Sequence, residues 1–125
     1  MTDTTDPSVL AAAVLRAVEE TERDLERMPF FVRPMVRAGF NRRTGLNVDE
    51  WRGVLRGVRV DDARDRLRRD LKPALLRLLD HFRTAPERAR RGMGDDPRAI
   101  AEVTNRSRLR VEAVEALLAW IDAPG

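Results

Sequence analysis

Apolar residues recur along the chain at three- and four-residue steps, the spacing of one face of an α-helix. In the first segment Leu10, Val14, Ala17, Val18, Thr21, Leu25 and Met28 form one stripe. Glu19, Glu20, Glu22, Arg23, Asp24, Glu26 and Arg27 fill the opposite, solvated face. Asp6-Pro7 supplies an N-cap and first turn, and Pro29 ends the helix. A second helix is predicted from around Phe31–Pro34 to about Thr44, with Gly45 as its C-cap. Asn47 or Val48-Asp49 opens a short helix carrying Trp51, Val54 and Leu55, weakened by Gly53 and Gly57. The stretch "VDDARDRLRRDLKPALLRLLDHF" reads as a long helix with the stripe Ala63, Leu67, Leu71, Ala74, Leu75, Leu78 and Phe82. Asp61-Asp62 is expected to cap it, and Pro73 to kink it or split it in two. "TAPER" sets Thr84 and Glu87 at capping-box spacing before a short helix that ends at Gly92. "GMGDDP" is a loop whose Asp95-Asp96 pair caps the next helix. Two helices follow, about Pro97–Val103 and Arg108–Ile121, joined by "TNRS".

No run alternates in the manner of a strand, and the chain has no Tyr. The expectation is an all-α, compact single-domain bundle of five to seven helices over residues 1–125. A sub-boundary near 92–96 would separate an N-terminal bundle from a C-terminal helix pair too short to fold alone.

Composition narrows the chemistry. The chain of 125 residues is 42% hydrophobic and 36% charged, enough for one modest core under a densely ionised surface. With no Cys there is no disulfide framework, thiolate zinc site or thiol nucleophile. Neither a signal-peptide-like basic N-terminal region nor a run of about 18 apolar residues is present, so a cytoplasmic protein without a membrane partner is expected. The cations are 23 Arg and the single Lys72, with a net charge of +3. An Arg-for-Lys coding bias accounts for this alongside the Ala richness, and a phosphate-binding surface is the competing account. Neither G-x-x-x-x-G-K nor G-x-G-x-x-G occurs, and "GMG" runs into two acids that would repel phosphate. His81, the only imidazole, falls in a last helical turn, where it caps carbonyls or sits at the core edge. The acids alternate with arginines as surface pairs. No catalytic residue, metal site or cofactor is assigned, and the expectation is a protein that is not an enzyme.

The segment "RMPFFVRPMVRAG", Arg27 to Gly39, gathers two of the chain's four Phe between two prolines. Met28, Phe30, Phe31, Val32, Met35 and Val36 are too apolar for a free loop, and Pro29 and Pro34 stiffen it. Phe31, Met35 and Gly39 share a helical face, Val32, Val36 and Phe40 lie beside them, and Arg33 and Arg37 point elsewhere together. The expectation is a core corner in which Phe30 and Phe31 wedge two helices apart, with Phe31 and Met35 buried. Phe30, Phe31, Arg33, Met35 and Arg37 are the candidate packing or partner-binding residues, and ligand binding is the competing reading.

This segment resembles the small helical module at the C-terminus of the B subunit of light-independent protochlorophyllide reductase. The resemblance rests on Leu25, Met28, Pro29, Phe30, Phe31, Val32, Arg33, Val36 and Arg37, with Val48 and Glu50 fitting the next element. It covers about residues 18–52. Where that family has a Glu-rich continuation of the second helix, this chain has "AGFNRRTG". The resemblance implies the local helical fold and an accessory role.

"IAEVTNRSRLRVEAVEALLAWI" resembles a bacterial helix–turn–helix, with Ile100-Ala101 as the apolar-small pair, Asn105 at the turn and Ser107 as N-cap. Arg106 stands where that pattern has a buried aliphatic. Arg106, Arg108 and Arg110 would then reach DNA from the start of the second helix. Glu112 and Glu115 on the same helix oppose that.

The leading expectation is a non-enzymatic helical accessory or interaction protein with a protein partner. The alternative is a small helix–turn–helix nucleic-acid-binding protein. A homodimer is a third reading, in which a second copy covers Leu117 and Trp120.

Overall fold

The computed structural model describes residues 6–94 and 96–124. Among them lie seven α-helices and no strand: α1 Pro7–Asp24, α2 Arg33–Thr44, α3 Val48–Arg56, α4 Arg64–Asp70, α5 Lys72–Arg83, α6 Ala85–Met93 and α7 Pro97–Asp122. A single 3₁₀ turn, Leu25–Arg27, follows α1. This is the all-α bundle that the periodicity predicts.

The boundaries follow from local chemistry. Asp6 accepts from the Ser8 amide at 2.9 Å to open α1. Asn47 and Glu50 close a reciprocal capping box on α3, at 2.9 and 2.8 Å. Gly45 ends α2 at φ 84°, where a side chain would be strained. Asp96 caps α7 through the Arg98 amide; its neighbour Asp95 lies outside the described residues. The long basic-acidic helix does split, at Leu71 (φ −106°). Pro73, in the first turn of α5, has no N–H to donate back and crowds the carbonyl four residues earlier.

Two expected caps are not formed. Ala63, not an aspartate, precedes α4, and the Asp62 carboxylate accepts instead from the Arg59 amide at 2.7 Å, stitching the preceding turn. Thr84 closes no box with Glu87. It sits directly between α5 and α6, so its hydroxyl donates back to the Asp80 carbonyl at 2.9 Å.

α1, α3, α5 and α7 share one core, built on Val14, Val18, Trp51, Leu75, Leu78, Phe82, Val114, Leu117 and Ile121. Trp51 is fully buried, and its indole N–H donates to Thr44 Oγ1 at 3.1 Å. Thr44 in turn donates to the Leu46 carbonyl at 2.9 Å, so the α2–α3 turn and the core are locked together.

The C-terminal region departs from expectation. α7 is one helix of 26 residues, with no turn at "TNRS". Thr104 bonds back to the Ile100 carbonyl at 2.7 Å, as a mid-helix threonine does, and Ser107 is buried without capping anything. Across the same stretch Arg106 and Arg110 reach Asp24 of α1 at 3.4 and 3.1 Å, pinning α7 straight. The dimer argument from Leu117 and Trp120 also falls. Leu117 is fully buried, and half-buried Trp120 lies under the Arg64 guanidinium, 4.1 Å from the ring centroid. Arg64 and Arg68 donate to the Trp120 and Ala123 carbonyls at 2.8 and 3.0 Å, and Lys72 pairs with Asp122 at 2.8 Å. These cations from α4 and α5 complement the negative end of the α7 dipole. Among the described residues no helix is long and apolar enough to cross a membrane.

Candidate functional site

The corner between the 3₁₀ turn and α2 turns its aromatics outward. Phe30, Phe31 and Met35 are 79%, 71% and 70% exposed, and the two rings meet edge to face with centroids 6.0 Å apart. The expectation that Phe31 and Met35 are core is therefore corrected. α2 packs mainly on α5, through a face that buries Gly39, Phe40 and Thr44. Its first turn overhangs the bundle, so the stripe containing Phe40 is covered, whereas the one containing Phe31 and Met35 is covered only at Gly39. Val32 and Val36, on that stripe, are half-buried.

The backbone of the corner is held from within. Arg33 donates through Nε to the Met28 carbonyl and through Nη2 to the Glu26 carbonyl, both at 3.1 Å. Arg37 pairs with Glu22 of α1 at 2.9 Å. Arg33 and Arg37 thus act on their own chain, while the apolar trio meets solvent on a fixed frame.

Behind the corner a groove of about 490 Å³ opens between the end of α1, α2, α5, α6 and α7. Leu25, Met28, Val36, Phe40, Phe82 and Ala89 give it apolar walls, and Met35 stands at its rim. Arg42, Arg43, Arg88, Arg106, Arg110 and His81, with Thr21, Ser107 and the single acid Asp24, supply its polar groups.

Two of these cations are neutralised. Asp24 holds both Arg106 and Arg110, and Arg106 also lies 3.5 Å from Glu102. Arg110 Nε is buried, 3.4 Å from Glu20 but not aligned to hydrogen-bond. Arg108 is on the far side of α7, exposed, and bonds Asn105 at 2.9 Å. The three arginines proposed to reach nucleic acid therefore do not share a face, and two of them are inter-helix ties.

Arg42, Arg43 and Arg88 are different. None has a carboxylate within 4 Å among the described residues. Arg88 donates to the His81 carbonyl at 2.6 Å and to Thr84 Oγ1, so it caps the C-terminal end of α5. Burial, then the neighbouring Arg43, lowers its pKa to about 10. Burial and Arg42 also lower the pKa of Arg43. Arg43 lies back across Gly39: a Cβ at Gly39 would come within 2.9 Å of Nη2.

His81 is buried between these arginines, edge-on to Phe40 at 5.0 Å. Its Nδ1 accepts from Arg43 Nε at 3.2 Å, which places the ring proton on Nε2. Burial, then Arg88, Arg43 and Arg110, lower its pKa to about 3, so the imidazole is neutral at physiological pH. The groove is thus positively charged, apolar-walled and short of counter-charge.

Sequence reasoning singled out the corner but not Arg42, Arg43 and Arg88. Nothing in their local pattern marks them among 23 arginines. What distinguishes them is that folding places them along the groove without an acid partner. No protein-family model matches the chain, and no similar protein was found among curated proteins or solved structures.

Proposed function

We propose that this chain is a non-enzymatic helical accessory module that docks a protein partner on the Phe30–Phe31–Met35 corner. The observation that carries this reading is the outward display of three large apolar side chains on a backbone tied down by Arg33 and Arg37. Aromatic anchors presented rigidly contribute contact area at low entropic cost, which is the character of an interface hot spot. The segment resembling the reductase module contains this corner, which agrees with an accessory role.

The occupant is an apolar helix face flanked by acids. Exposed Arg27 and Arg42 border the corner without carboxylate partners among the described residues, and call for opposite charge. An identical corner from a second copy would bring the same surplus of arginine. The nucleic-acid reading is not carried forward, because its turn is absent and its arginines are divided.

A photo-crosslinking amino acid in place of Phe31, activated in the native host, tests the proposal. A discrete hetero-adduct that disappears with Arg27→Glu/Arg42→Glu is expected. No adduct, or one of twice the chain's mass, contradicts it.

A further inference from the structure

We infer that the groove behind the corner binds an anionic amphiphile: a carboxylate on an apolar, chain-like body. This goes beyond the protein-docking reading: the two sites meet at Met35 and Arg42, but neither Phe30 nor Phe31 lines the groove.

The volume of about 490 Å³ falls within the ~300–1,000 Å³ of small-molecule sites. Such sites are mostly apolar with a few convergent polar groups, and the groove has this make-up. Leu25, Met28, Val36, Phe40 and Phe82 would cover the body of the ligand. The head is assigned to Arg43. Its Nε is taken by His81, but both Nη groups have no hydrogen bond among the described residues. A guanidinium whose Nη1/Nη2 edge is free matches a carboxylate bidentately. Arg42 beside it is also unpaired, and His81 Nε2–H has no acceptor among the described residues. An anion there would supply the counter-charge that half-buried Arg43 lacks, and charge in such a site is screened weakly. At the other end Asp24 is already satisfied by Arg106 and Arg110, so the ligand meets no free acid from that residue.

The test is titration of the intact protein with decanoate, decan-1-ol and acetate, each below its aggregation limit. Calorimetry gives the affinity, and the Cε1–H signal of His81, the chain's only histidine, reports the location. Decanoate is expected to bind at one site, at least tenfold tighter than decanol, and to shift the His81 signal. Acetate should bind at least a hundredfold more weakly. Arg43→Gln should bring decanoate down to the decanol level and leave decanol unchanged. Its circular dichroism should match the parent, with at most a modest fall in melting temperature from the lost bond to His81 Nδ1. Equal affinity for decanoate and decanol, saturation without movement of the His81 signal, or an Arg43→Gln protein that folds and binds decanoate fully would overturn the inference. Retention of decanoate binding in Phe30→Ser/Phe31→Ser separates this site from the docking corner; loss in that folded variant would overturn the assignment to the groove.

Discussion

His81 shows how far one side chain's behaviour is set by its neighbours. With a folded pKa near 3 against an ordinary value of 6.5, the unfolded chain takes up the proton first as pH falls. Its contribution to stability is complete above about pH 6.5 and is lost progressively towards pH 3. Between pH 7 and pH 5 this amounts to about 2 kcal/mol for one group. His81→Gln removes the titration while keeping an acceptor for Arg43. Urea unfolding at the two pH values should therefore show a clear loss for the parent and a flatter response for the variant. Equal slopes would mean that the imidazole is not shielded. Thr44 makes a second residue-scale case. Its hydroxyl is the acceptor for the buried Trp51 indole. Thr44→Val keeps the shape and strands that N–H, so a loss of about 1–3 kcal/mol is expected in chemical denaturation.

At the scale of elements, several caps and breakers were readable because they act within four residues, although those expected at Asp61-Asp62 and at Thr84–Glu87 are not formed. Asp6-Pro7, Asn47–Glu50, Gly45 and Pro73 do what their local chemistry dictates. Two kinds of feature were not readable. A helical period cannot say which of two adjacent apolar stripes is covered, and α2 buries Phe40 while Met35 and the preceding Phe31 stay outside. Nor can a turn-like tetrapeptide be separated from mid-helix polar residues when the deciding contact is distant. Asp24, some 80 positions earlier in the chain, holds Arg106 and Arg110. The groove was illegible for the same reason, since its character depends on which arginines are left without acids. Asn105→Ala tests the continuous helix by sign. In an α-helix interior the change should stabilise by up to about 0.7 kcal/mol, whereas in a left-handed turn it should destabilise by about 1–2 kcal/mol. Thermal or urea unfolding of this exposed-site variant distinguishes the two.

For the whole molecule, α1, α3, α5 and α7 make most of the core, α4 and α2 add Leu67 and Phe40, and the rest of α2 with α6 lies at the edge, where a corner and a groove can form without opening the interior. The aromatics around α2 are divided: Phe40 of the helix lies inside, and Phe30 and Phe31 of the turn before it lie outside. The most direct measurement is the unfolding free energy of Phe40→Ala set against Phe30→Ala/Phe31→Ala. Phe40→Ala should lose about 3–5 kcal/mol through the cavity it leaves. The double variant should stay within about 1 kcal/mol of the parent, as two exposed substitutions do. A loss of several kcal/mol in the double variant would put the corner back in the core and contradict the account.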